Sequence, residues 1–140
     1  MKKVNIYCES HYFNDSKAGY GGYVIEYEGR YKTHTTVSVH TVPVLISLDL
    51  LWQAVGRLKE SCDVNVISRQ NLTANDLKIG EGNALWEFIN QLKTDNGHRY
   101  TFKKYPIESE IYVLDEILKE LKKVKQSKIY FNEIFKDDSN

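Results

Sequence analysis

Between residues 3 and 41, three segments in succession alternate apolar and polar side chains with period two, and this run constrains the fold more than any other feature. Val4, Ile6 and Cys8 share one face of residues 3–9, and Tyr23, Ile25 and Tyr27 share one face of residues 20–28. Residues 31–41 are rich in Thr, Val and Tyr and alternate again. Glu28-Gly29-Arg30 between the last two segments is a turn, so they form an antiparallel hairpin. Glu9 closes the first strand, and a polar loop with a Gly19-Tyr20-Gly21-Gly22 turn leads into the second. Pro43 stops the third strand and opens a helix. Leu48, Leu51, Trp52, Val55 and Leu58 then recur at helical spacing, with Asp49 on the shoulder of that stripe.

The second half changes rhythm. Asp63 to Ser68 is a short buried strand carrying Val64 and Val66, and a strand reached through a helix is expected to lie parallel beside the first. Thr73 to Asp76 forms a short Thr-capped helix, broken by Gly80 and Gly82. Asn83 to Lys93 is amphipathic, with Leu85, Phe88, Ile89 and Leu92 inward. Residues 98–105 form a fifth strand with Tyr100 and Phe102 on one face. After Pro106 the stripe Ile107, Ile111, Leu114, Leu118 and Leu121 marks a last long helix. The expected fold is α/β: a mixed five-stranded sheet, three antiparallel strands then parallel additions, with helices on both faces. Residues 1–125 are expected to form one domain. Residues 126–140 form a tail whose amphipathic part, 129–135, either docks on that domain or contacts a partner.

A chain of 140 residues suits a single core. Its apolar share of 41% and charged share of 27% are those of a soluble globular protein. No apolar run is long enough to cross a bilayer, and no secretory signal opens the sequence, so no membrane and a cytoplasmic location are expected. The two cysteines, Cys8 and Cys62, are too few for a disulfide framework and are expected to be small buried thiols. Nineteen basic and nineteen acidic residues cancel, which counts against a general nucleic-acid binder without excluding a local basic face. His11, His34, His40 and His98 lack metal-ligand spacing and are expected at surface or edge positions. Tyr12, Phe13, Tyr20 and Tyr23 either close the edge of the core or stack on bases. The lysines from 119 to 128 form either a solvated helix face or a track for a phosphate backbone. Gly19 to Gly22 has neither the spacing nor the following helix of a phosphate loop.

The order of elements resembles the ribonuclease H-like fold, and local residues add to the likeness across about residues 3–125. Ser10, Asn14 and Gly19-Tyr20-Gly21-Gly22 resemble the family loop that touches the minor groove of an RNA/DNA hybrid. Leu48-Asp49-Leu50 resembles the helix motif carrying the family's second acid. Leu114-Asp115-Glu116-Ile117-Leu118 is similar to the last-helix segment carrying its final acid. The resemblance implies a nuclease in which Glu9, Asp49 and Asp115 are catalytic and Glu9 and Asp49 hold Mg²⁺ or Mn²⁺. Ser10, Asn14, Gly19 and Arg69 would then contact the substrate. Two-metal hydrolysis gathers several carboxylates around two ions roughly 3.5–4 Å apart.

Two departures bear on that expectation. Glu9 stands where the family has Asp, and Mg²⁺ demands near-ideal octahedral geometry. In Ile67-Ser68-Arg69-Gln70, similar to the family's Thr-Asp-Ser-Gln segment, Arg69 takes the Asp position. A guanidinium cannot ligate a metal. Arg69 either pairs with Glu9 or Asp49 in place of the ion, or clamps a phosphate. The flexible His-containing loop before the family's last helix is absent. As ordinary residues, Glu9 would be a solvated strand acid, Asp49 a helix-border acid and Asp115 part of an exposed charged face. Three functions follow. The first is a nucleic-acid-associated protein, binding or weakly cutting RNA in RNA/DNA hybrids with an eroded metal site. The second is a catalytically dead module that binds proteins through its aromatic edge or tail. The third is an active nuclease whose missing ligand comes from elsewhere in the chain, such as Asp76.

Overall fold

The computed structural model describes residues 1–14, 17–38, 42–70, 72, 87, 90, 97–103 and 105–135, with backbone alone from 126 onward. The elements run β1 (Lys2–Phe13), β2 (Ala18–Tyr27), β3 (Arg30–Ser38), α1 (Pro43–Val55), β4 (Cys62–Ser68), β5 (Arg99–Lys103) and α2 (Glu108–Phe135). One five-stranded sheet has the order β3-β2-β1-β4-β5. β1–β2 and β2–β3 are antiparallel, whereas β4 lies parallel to β1 and β5 parallel to β4. This is the mixed sheet expected from the sequence. The expected helix at 73–76, Asp76 and His40 lie outside the described residues, as does the expected helix at 83–93 except for Glu87 and Asn90, which are helical.

Both faces of the central strands are covered, because alternate residues supply two separate cores. Val4, Ile6 and Cys8 of β1 join Tyr23 and Ile25 of β2 and Val64 and Val66 of β4 beneath Ile46, Leu50, Leu51 and Ala54 of α1. Tyr7, Phe13, Tyr20, Val24 and Ile67 face the other way, beneath Leu114, Ile117 and Leu121 of α2. Each fully buried aliphatic side chain stabilises the fold by about 1.5–3 kcal/mol. Cys8 and Cys62 are buried free thiols, as expected. Burial pushes the Cys8 thiol well above its ordinary range.

Four expectations are corrected. Gly19 to Gly22 is not a turn but the first half of β2, paired with Tyr12 to Glu9 on one side and Ser38 to Thr35 on the other. The chain reverses earlier, around Asn14 and Lys17, where Lys17 takes a positive φ of 51°. Gly21 and Gly22 are needed for closeness. A Cβ on Gly21 would lie 2.4 Å from Leu50 Cδ1 of α1, and one on Gly22 would lie 2.7 Å from Ile117 Cγ2 of α2. Accordingly β1 does not end at Glu9 but continues to Phe13 along this longer hairpin.

The inward stripe of α2 is also shifted. Ile107 and Ile111 are 55% and 38% exposed, and Ile117 is buried instead. The inward place in the first turn belongs to Glu110, which accepts the Ile107 N–H at 2.8 Å and pairs with Lys103 at 2.9 Å. A carboxylate there satisfies an orphan amide and complements the helix dipole, which an isoleucine cannot do. α2 passes through residue 125 without a break, and the side chains of 129–135 lie outside the described residues. Among the described residues no helix is long and apolar enough to cross a membrane.

The fourth correction is His98, which is buried rather than at the surface. Its Nδ1 accepts the backbone N–H of Cys62 at 3.1 Å, tying the start of β4 to the approach of β5. That bond requires a bare Nδ1, so the ring is neutral, and burial holds its pKa below 6.5. The unfolded chain therefore binds a proton that the folded chain refuses. Stability is expected to be complete above pH 6.5 and to fall as pH drops below it. Urea titrations at pH 7.5 and 5.5 should show this loss in the wild type, and a smaller loss in His98→Gln.

Candidate functional site

The parallel pairing of β1 with β4 ends at Cys8↔Ser68. The next residues in each strand, Glu9 and Arg69, are therefore neighbours at the point where the ladder opens. Tyr7 belongs to the core under α2, and alternation puts Glu9 on the same face. Leu114 anchors α2 over that core and brings Asp115 alongside. Arg69 sits between the two acids: its Nη1 donates to Glu9 Oε2 and its Nη2 donates to Asp115 Oδ1.

The triad runs from the interior to the surface. The Glu9 side chain is 5% exposed, that of Arg69 35% and that of Asp115 53%. The second Glu9 oxygen, Oε1, accepts the N–H of Ser10 at 3.0 Å. Burial pushes the Glu9 carboxyl above its usual range, against the opposing pull of the Ser10 amide and the Arg69 guanidinium. For Arg69, hydrogen bonds and charge from Asp115 and Glu9 outweigh burial and raise its pKa, so it stays protonated.

The other expected site residues are placed elsewhere. Asp49 lies on α1, on the opposite face of the sheet from Glu9, and accepts from Gln53 Nε2 at 3.3 Å. Ser10 is buried, its Oγ donating to the Pro43 carbonyl at 2.6 Å and lying 2.8 Å from Ser47 Oγ. It fixes the entry of α1 against β1. Asn14 is exposed at the hairpin turn, and Gly19 is buried in the β2 ladder between Tyr12 and Ser38. The structure thus joins Glu9, Arg69 and Asp115. Arg69 pairs with Glu9, one of the two acids expected for it, and among the described residues no hydrogen bond or ion pair joins Asp49 to the three. Asp115 sits in a charged face, and what marked it in the sequence was the likeness of Leu114 to Leu118 to the family's last-helix segment. The serine pair Ser10–Ser47 was missed because its members are 37 residues apart.

A divalent ion fits this arrangement poorly. Among the described residues no three His, Cys, Asp or Glu side chains gather as a metal-holding group. One oxygen each of Glu9 and Asp115 is occupied by a cation that cannot ligate. What the triad can do is hold α2 to the open ends of β1 and β4, with part of the guanidinium left toward solvent for an anion.

Among the described residues, three of the lysines of α2 are engaged within the protein, and the side chain of Lys128 lies outside those described. Lys119 and Lys123 pair with Glu116 and Glu120, each at 3.1 Å, and Lys125 Nζ lies 4.7 Å from the centre of the Phe13 ring.

No family model matches the sequence, and no curated protein matches it. Solved structures do. LC11-RNase H1 from a compost metagenome is 17% identical with a TM-score of 0.64, over 89% of this chain and 99% of that one. The same protein in complex with an RNA/DNA hybrid matches at 16% identity and a TM-score of 0.62, over 82% and 93% of the two chains. RNase H1 from the archaeon Halobacterium salinarum is 13% identical with a TM-score of 0.62, over 84% of this chain and 98% of that one. At such identities the likeness is one of backbone. The strand order, the parallel entry of β4 and the helices on opposite faces make this a chain with the ribonuclease H-like fold.

Proposed function

We propose that this protein is a ribonuclease H-like nucleic-acid-associated protein whose metal site has eroded, so that it engages RNA/DNA hybrids or related duplexes without efficient hydrolysis. The observation that carries the reading is the position of Arg69. On this fold the acids at the open ends of β1 and β4 and on the last helix would surround divalent ions, and here a guanidinium bridges Glu9 and Asp115. A permanent cation built into the protein replaces the charge of an ion but supplies neither a bound water nor a Lewis acid. The solved complex of LC11-RNase H1 with an RNA/DNA hybrid supports a hybrid as the ligand class to test.

The zero net charge and a cluster of exposed apolar residues favour a second reading, a module that binds proteins. Tyr105, Ile107, Ile111 and Tyr112 are 76%, 55%, 38% and 65% exposed near the start of α2.

A labelled RNA/DNA hybrid separates the two. The wild type is expected to bind it at low salt, with affinity falling steeply as salt rises, and to leave it uncut in Mg²⁺ or Mn²⁺. Arg69→Asp is expected to gain metal-dependent cleavage. Cutting by the wild type that Asp49→Asn abolishes would overturn the eroded site. Absence of binding at low salt would remove the nucleic-acid role and favour the protein module.

A further inference from the structure

β3 is an edge strand of nine residues, and it carries few of the devices that keep such edges apart. Its pairing with β2 runs in unbroken register from Tyr27↔Arg30 to Gly19↔Ser38, without a bulge. It contains no proline. Its charges, Arg30 and Lys32, lie at one end, and Thr33 to Ser38 are uncharged. Among the described residues no backbone hydrogen bond reaches Arg30 to Val37 from outside the sheet. The strand also exposes two large apolar side chains, Tyr31 at 62% and Val37 at 36%.

These features are complementary to their own copy. In an antiparallel pair of β3 strands centred on His34, Arg30 lies opposite Ser38, Lys32 opposite Thr36, and Thr33 opposite Thr35. No like charges then face each other. Tyr31 of each copy meets Val37 of the other, and because opposed residues share a face, both exposed apolar side chains are covered twice by the symmetry. A shift of two residues either way breaks that match. We propose that β3 is a homodimer interface, joining two sheets into one continuous ten-stranded sheet about a two-fold axis through His34.

The register makes the test specific. Sedimentation velocity of the full chain across a concentration series is expected to show a monomer–dimer equilibrium. Val37→Lys, which sets a lysine in place of the apolar contact with Tyr31 of the other copy, is expected to raise the dissociation constant about tenfold. At the axis, His34→Cys places two thiols directly opposed, within the Cα separation a disulfide spans, so mild oxidation is expected to give a covalent dimer. Val37→Cys sets its thiols six residues apart along the strand, about 20 Å, and is expected to stay uncrosslinked. A wild type that remains monomeric at the highest concentration overturns the proposal. So does crosslinking of Val37→Cys that equals or exceeds that of His34→Cys. Circular dichroism of each variant separates a lost interface from a lost fold.

Discussion

Replacing Gly21 by valine is expected to lower the unfolding free energy by about 3 kcal/mol, the upper part of the range for overpacked cores. At this chain length the melting temperature should fall by about 10 °C. The Cβ alone would stand 2.4 Å from Leu50 Cδ1 and 2.6 Å from Ile46 Cγ2. Both side chains are about 1% exposed, so neither has free space to turn into. Relief requires α1 to lift from the sheet, which opens the core it shares with β1 and β4. Gly29→Ala is a useful contrast. Nothing lies within 4 Å of its added Cβ, and only the positive φ of 76° is strained. Its cost should be about 1 kcal/mol. Thermal unfolding of the two variants checks the ordering, and equal losses would mean that α1 does not pack on Gly21 as described.

Removing the guanidinium with Arg69→Met is expected to destabilise the protein by about 1–3 kcal/mol at pH 8, because it strips the buried Glu9 carboxylate of its compensating charge. The partial exposure of Arg69 and Asp115 keeps the value well below that of a fully buried pair. The pH dependence follows from Glu9. Its folded pKa already lies above the ordinary 4.5 because of burial, and loss of Arg69 raises it further. A raised carboxyl pKa means that the folded state holds its proton longer than the unfolded one. That contribution is complete below pH 4.5 and is lost as pH rises through the folded value. The variant, with the higher folded value, loses it further up the scale and loses more. The gap between wild type and Arg69→Met should therefore be small at pH 4 and widest at pH 8, as urea titrations at the two pH values would show. A gap that narrowed toward pH 8 would mean that Arg69 does not stabilise the Glu9 carboxylate.

Much of the fold was legible because it rests on local periodicity. The alternation of Val4-Ile6-Cys8 and Tyr23-Ile25-Tyr27, the turn at Gly29 and the proline opening of α1 are signals carried by neighbouring residues. They lead directly to an antiparallel start followed by a parallel β4. The same logic misplaced Gly19 to Gly22. Glycine commonly marks a turn, and only the approach of two helices from opposite faces makes Gly21 and Gly22 strand residues. His98 was likewise invisible, since its burial and its bond to the Cys62 amide depend on a contact across 36 residues.

The candidate site divides along the same line. The sequence by itself determined which charged groups were candidates to meet: Glu9 in the first strand, Arg69 after the fourth, Asp115 on the last helix. Their interaction depended on tertiary structure, because residue type specifies charge but not reach. The end of the β1–β4 ladder sets Arg69 beside Glu9, and the packing of Leu114 swings Asp115 into range 46 residues further along the chain. Asp49, equally suggestive in the sequence, rides on a helix held to the opposite face by Ile46, Leu50 and Leu51, and no local pattern records which side of a sheet a helix will cover.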